Sequence, residues 1–168
     1  MKGSLVGEYV IVEGKDADVL TSKYFGFREG NKLYLSLIEA AYLCEKKKLK
    51  IYLNDKLVEF DEFVNYSLNV IDRFLPKYLV YKDLKGRGYL VKTAFKYGAD
   101  FRVYEKGATP GREHSKWIVF VVTQDDALYW NQIASMVRVA HSVKKDLLIG
   151  VVDEEGDVTY YVFDWIKP

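Results

Sequence analysis

Two separated segments carry side chains that could move protons and steady a developing negative charge. The first, Tyr104-Glu105-Lys106-Gly107-Ala108-Thr109-Pro110-Gly111-Arg112-Glu113-His114-Ser115-Lys116, reads as a turn-rich loop ending in one of only two histidines. The second, Arg138-Val139-Ala140-His141-Ser142-Val143-Lys144-Lys145, closes an amphipathic run and leaves paired lysines before an apolar one. Together they offer a phenol, an imidazole and an ammonium, the groups needed for a base, an acid and an electrostatic clamp. Singly each is ordinary. Tyr104 is one of 14 tyrosines, Lys145 suits a helix end, Arg138 suits a helix surface, and Gly107 and Pro110 suit any turn. His141 falls on the apolar face of its run and reads as a packing histidine.

Such groups work only if a rigid scaffold holds their loops together. In the first half, Tyr9–Glu13 and Lys32–Leu35 read as strands. Ser36 with Glu39 three residues later is a capping box opening a helix through Cys44, whose end carries Lys46, Lys47 and Lys48. Lys50–Leu53, Asn54-Asp55 and Lys56–Val58 form a predicted hairpin. Asp61 and Glu62 start a helix predicted to run through Phe63, Leu68, Ile71 and Phe74. Apolar periodicity lapses around Lys82–Gly88, which places a domain break near residue 80. Beyond it, Tyr89–Tyr97 is helical in period. Phe101–Tyr104 and Trp117–Val122 read as strands, the second apolar on both faces and therefore central. Asp125 and Asp126 start a predicted helix carrying Leu128, Trp130, Ile133, Val137 and His141, and strands follow at Leu147–Val152 and Val158–Phe163. The expected fold is α+β to α/β: a small N-terminal α+β domain, residues 1–80, then a C-terminal mixed sheet flanked by helices, residues 81–168.

Bulk properties narrow the function. The 25 Lys+Arg against 24 Asp+Glu leave a formal charge of +1 over 168 residues, so any polyanion must be held by a local patch rather than a basic coat. One cysteine and two histidines cannot build a disulfide framework or a Cys/His zinc cage. No run has signal-peptide character or approaches the ~20 apolar residues that span a bilayer. A cytoplasmic protein without a membrane partner is expected.

The blocks Lys96-Tyr97-Gly98-Ala99-Asp100-Phe101-Arg102-Val103-Tyr104-Glu105-Lys106-Gly107, His114-Ser115 and Arg138-Val139-Ala140-His141-Ser142-Val143-Lys144-Lys145 closely resemble the archaeal tRNA-intron endonucleases of the short-chain, homotetrameric type. The resemblance is dense over the second half and rests on size and α+β pattern in the first. It implies a metal-independent enzyme without cofactor that excises introns from precursor tRNA, cutting both splice sites of a bulge-helix-bulge RNA. It places the catalytic triad on Tyr104, His114 and Lys145, with Lys144 adjacent to the last. Tyr104 is then the base toward the 2′-hydroxyl, His114 the acid for the leaving 5′-oxygen, and Lys145 the cation beside the pentavalent phosphate, giving 2′,3′-cyclic phosphate and 5′-hydroxyl ends. The internal nucleophile already sits near phosphorus, so three side chains suffice. A phenol with an ordinary pKa near 10 needs a neighbouring cation to serve as base, and Lys145 is the expected one.

The resemblance also implies that Arg138 stacks on a flipped base. Arg102, Lys106, Arg112, Lys116 and Lys144, on the same loops, are candidate phosphate contacts. The acidic turn Asp153, Glu154, Glu155 and Asp157 is expected to insert into a neighbouring subunit, and Tyr160, Tyr161, Val162 and Phe163 to pair with a symmetry mate. Two alternatives follow from the same residues. A metal-dependent nuclease would use Asp100 and Glu113, but Lys116 stands at the wrong spacing for a Glu-x-Lys pair. A non-catalytic RNA-binding or structural subunit of a heteromeric splicing endonuclease would normally have lost part of the triad, whereas a catalytic subunit that requires a different partner chain would keep it.

Overall fold

Alternating burial along short strands builds the first half of the chain. β1 (Lys2–Val6) and β2 (Tyr9–Glu13) pair antiparallel, turning Leu5, Val10 and Val12 inward. A Cβ at Gly3 would lie 2.5 Å from Val10 Cγ1, so only glycine lets these strands pack at that point. The structure, a computed structural model, describes residues 1–168, which divide into the units Met1–Tyr78 and Leu79–Pro168.

In the first unit, α1 (Gly14–Ser22), β3 (Phe27–Glu29), β4 (Lys32–Ser36), α2 (Leu37–Glu45), β5 (Lys50–Leu53), β6 (Lys56–Val58) and α3 (Phe60–Val70) follow. The sheet order is β3-β4-β2-β1-β5-β6, with β1 and β5 parallel and every other pair antiparallel. β1, α1 and β3 carry weak sequence signals. β1 turns only Gly3 and Leu5 inward, α1 buries only Ala17 and Leu20, and β3 is exposed throughout.

The Ser36 capping box forms as predicted. Glu39 N–H donates to Ser36 Oγ at 3.2 Å, and Ser36 N–H donates to Glu39 Oε2 at 3.0 Å. Gly26 N–H donates to the other carboxylate oxygen at 2.9 Å, so the buried Glu39 carboxylate is fully used.

The helix predicted to reach Phe74 stops at Val70. Ile71 is extended and Arg73 takes φ 56°, after which α4 (Phe74–Gly86) begins. The stretch read as a lapse in periodicity is thus largely helical. Phe74, Tyr78, Tyr81 and Leu84 form its buried stripe, while charges occupy the positions between.

The second unit holds β7 (Leu90–Thr93), a 3-10 turn (Phe95–Tyr97), β8 (Phe101–Tyr104), β9 (Trp117–Thr123), α5 (Trp130–Ser142), β10 (Asp146–Val152) and β11 (Val158–Phe163). The expected helix over Tyr89–Tyr97 is instead a strand and a turn. Pairing Leu90 with Tyr104 and Thr93 with Phe101 gives this segment a ladder that outweighs its helical period. The order is β11-β10-β9-β8-β7, with β9 central as its apolar faces require. Only β9 and β10 run parallel.

α5 starts later than predicted, behind Tyr129. Asp126 accepts a hydrogen bond from Thr123 N–H at 2.7 Å in the preceding turn. Val137 and Ala140 of α5 pack with Ile118, Leu147 and Ile149. By register parity the opposite sheet face meets α4, where Tyr81 lies 5.8 Å from Phe101 between ring centroids. No helix is long and apolar enough to cross a membrane.

Candidate active site

The sheet of the second unit gathers the three segments at one end. Val103 pairs with Trp117, and Trp117 pairs with Asp146. The ladder continues one step outward: Lys116 N–H donates to Val103 O, and Asp146 N–H donates to Lys116 O, both at 2.9 Å. The C-terminal end of β8, carrying Tyr104, therefore lies beside the chain entering β9, carrying His114 and Ser115, and that chain lies beside Lys145 entering β10. Tyr104 is 5% exposed. His114 is exposed on the loop, and Ser115 is buried.

The loop between Tyr104 and His114 has its own fastenings. Gly107 and Gly111 take φ 81° and 91°, the left-handed region in which a side chain is strained. Glu113 Oε1 accepts from Thr109 N–H at 3.0 Å, and Glu113 N–H donates to Thr109 O at 3.0 Å. Asp100 Oδ2 accepts from Val121 N–H at 2.8 Å. The two carboxylates considered for a metal nuclease thus hold backbone amides. No cluster of three or more His, Cys, Asp or Glu is placed to hold a metal ion.

The end of α5 separates the paired lysines. Lys144 takes φ 57°, Lys144 N–H donates to His141 O, and Lys145 N–H donates to Ala140 O, the pattern of a Schellman cap. Lys144 is consequently turned out and exposed, whereas Lys145 is half-buried with its Nζ donating to Ser115 O at 2.9 Å. Burial chiefly holds the Lys145 ammonium below its ordinary range. Tyr97 opposes that shift, and Arg102 and Lys96 add to it.

The other candidates divide. Arg102 is half-buried on β8, two residues from Tyr104 and on the same face. Lys116 pairs with Glu105 at 2.8 Å on the surface, which raises its pKa, and lies over the Trp117 ring. Lys106 lies 4.9 Å from the Tyr89 ring centroid. Arg112 and Arg138 are exposed.

His141 is not a core residue: its side chain is 49% exposed, and Nε2 lies 2.9 Å from Asp164 Oδ1. That contact lowers the Asp164 pKa. Its ring centroid is 4.9 Å from that of Trp165. Sequence reasoning missed Lys96, Tyr97, Asp164 and Trp165. The first two stand in the same segment, Lys96–Gly107, as Tyr104, so their proximity in sequence to Tyr104 was the available signal. A cavity of about 320 Å3 is lined by His141, Lys144, Lys145, Asp146, Phe163 and Asp164 among others.

At the expected interface, Asp153 Oδ1 accepts from Glu155 N–H and Asp157 N–H, both at 2.9 Å, so this carboxylate builds the β10–β11 turn. Glu154, Glu155 and Asp157 are exposed. β11 is a sheet edge with Tyr161 and Val162 exposed. Tyr160 donates to Asp83 Oδ2 at 2.8 Å, and Phe163 packs on the α5 core.

Residues 74–160 match the family model of the tRNA intron endonuclease catalytic C-terminal domain, and residues 1–64 match that of its N-terminal domain. A tRNA-splicing endonuclease of Methanothermobacter thermautotrophicus is 50% identical over 145 residues, covering 86% of this chain and 84% of that protein. One of Thermococcus onnurineus is 47% identical over 145 residues, covering 86% and 83%. One of Nanoarchaeum equitans is 38% identical over 174 residues, covering 100% of both. The chain belongs to the tRNA intron endonuclease family, and the activity this supports is that of an RNA endonuclease of tRNA splicing.

Proposed function

We propose that the chain excises introns from precursor tRNA by metal-independent transesterification at both splice sites of a bulge-helix-bulge RNA. The observation that carries the proposal is the three-strand end at which the Tyr104, His114 and Lys145 segments lie side by side. Tyr104 removes the 2′-hydroxyl proton, the freed oxygen attacks phosphorus, and His114 protonates the departing 5′-oxygen. The bonds made and broken leave a 2′,3′-cyclic phosphate and a 5′-hydroxyl. Lys145, held by Ser115 O, steadies the added charge on the pentavalent phosphate. Because a partly desolvated ammonium is poorly hydrated, it gains more from meeting a phosphate than a surface lysine does.

Arg138, exposed on α5, stacks on a flipped base, a contact worth about 1–3 kcal/mol by analogy with aromatic stacking. Arg102, Lys106, Arg112, Lys116 and Lys144 contact the RNA backbone. The chain works as a cytoplasmic homotetramer: Glu154, Glu155 and Asp157 of the β10–β11 turn dock on another subunit, and the β11 edge, with Tyr161 and Val162 exposed, pairs with its mate.

Cleavage of a bulge-helix-bulge RNA in excess EDTA, with the ends identified chemically, tests the reaction. Full activity with cyclic phosphate termini is expected, and loss of activity on chelation contradicts it. For assembly, light scattering should give four times the chain mass. Replacing Asp153, Glu154, Glu155 and Asp157 with amides should dissociate the tetramer, and a wild-type monomer at working concentration contradicts that part.

A further inference from the structure

Lys96 has no role in the reaction above, yet it stands in one cluster with Arg102 and Lys145. Arg102 on β8 is paired across the ladder with Ile118, and Ile118 with Leu147, so Arg102, Tyr104 and the Lys145 position share the sheet face toward α5. The 3-10 turn carrying Lys96 is held to that same place by Ala94 and Ala99, both buried in the cluster formed by Ile118, Ala140 and Leu147. Tyr97 packs against the cluster too, and Lys96 Nζ stands 5.0 Å from its ring centroid. Three cations from three elements thus converge.

None of the three is ion-paired. The nearby carboxylates are committed elsewhere: Glu105 to Lys116, Glu113 to Thr109 N–H, Asp100 to Val121 N–H and Asp164 to His141. Arg102 Nε is buried and donates to nothing. Mutual repulsion in a partly dry place is costly, and the lowered Lys145 pKa reflects both the burial and the two neighbouring cations. An anion reverses each cost: it neutralises the cluster, accepts from the orphaned Nε–H and matches the guanidinium fork.

We propose that Arg102 and Lys96 form, next to Lys145, a second phosphate subsite that grips a phosphodiester adjoining the scissile one. This rests on the RNA-cleaving reading of the site and adds to it how the strand is held in line. One phosphate then lies against Lys145 for reaction, and its neighbour is fixed by a fork and an ammonium that take no part in proton transfer.

Two arms test it. With inorganic phosphate as probe, thermal unfolding of the full chain should shift upward at millimolar phosphate in wild type and not in Lys96→Gln/Arg102→Gln, while Lys48→Gln, at an exposed lysine of the first unit, responds as wild type. Arg102→Lys, which keeps the charge but loses the fork, should respond in part and guards against a folding artefact. In the second arm, single methylphosphonates are walked through a bulge-helix-bulge RNA. One position beside a cut should weaken wild-type binding about tenfold, in line with a charge-assisted contact, and Arg102→Gln no further. Equal phosphate protection of wild type and the double variant overturns the subsite, as does a scan in which every position weakens both proteins alike. Phosphate protection that needs Arg102 and Lys96, in a protein that does not cut the RNA, removes the splicing reading and leaves the subsite standing.

Discussion

Glu39 in the first unit and Lys145 in the second are both charges drawn out of water, and their surroundings are opposite in kind. Glu39 accepts from Gly26 N–H, Ser36 N–H and Ser36 Oγ–H, so its carboxylate ties a turn, a strand end and a helix start together. Lys145 has one neutral acceptor, Ser115 O, and feels two further cations. The first charge is saturated and serves the fold. The second is left with unmet demand, which is the condition of a group meant to meet a ligand. Both units carry many charges; what distinguishes the site is charge without a partner.

The contrast can be broken most severely at Lys145. Lys145→Met should slow cleavage by about 100-fold or more, the scale of losing one transition-state charge contact, while leaving the melting temperature at or above that of wild type. A melting temperature several degrees lower would make Lys145 a structural residue. Glu39→Ala should do the reverse. Leaving Gly26 and Ser36 amides unpaired and removing the capping box should cost about 2–3 kcal/mol in denaturant unfolding; a cost below about 0.5 kcal/mol would mean that water replaces the carboxylate there.

Tyr160 sharpens the comparison within the second unit. Burial first, and its bond to Asp83 second, raise its pKa beyond the ordinary phenol range. Tyr160→Phe should cost about 1 kcal/mol of stability with cleavage intact, and lost cleavage at unchanged stability would move Tyr160 into the site. The smallest effect is in pH. Since the folded pKa of Lys145 lies below its ordinary 10.5, the folded chain gives up this proton first. Between the two values the unfolded state binds more protons, and stability rises with pH. The raised pKa values of Tyr78 and Tyr160 act in the opposite sense above about pH 10. The Lys145 contribution is therefore the difference between wild type and Lys145→Met, with wild type gaining on the variant as pH rises toward 10.5; parallel curves would remove the claim that the Lys145 charge is held out of water without a counterion.

Sequence patterns revealed these features unevenly. The capping box of Ser36 and Glu39, the 50–58 hairpin and the central β9 were legible because each is decided by local chemistry or by an unbroken apolar run. The segment over Tyr89–Tyr97 was misread because strand pairing with β8, a contact between residues 90 and 104, overrode its helical period. β1 and α1 were invisible because each buries only two residues. In the site, Tyr104, His114 and Lys145 were marked by their segments. Arg102 was singled out in sequence with the other basic residues of these loops, but its grouping with Lys96 acquires meaning only from the missing counterions, and the His141 contact with Asp164 joins residues 23 apart. Neither kind of information is written in spacing.

The direct test of the central claim is single-turnover cleavage of a bulge-helix-bulge RNA by wild type, Tyr104→Phe and His114→Ala, with RNA affinity measured on the same preparations. Each variant should bind the RNA as wild type does and cut it at least about 100-fold more slowly, the contribution expected of a positioned acid or base. Tyr104→Phe cutting at the wild-type rate would contradict the assignment of this sheet end as the catalytic centre.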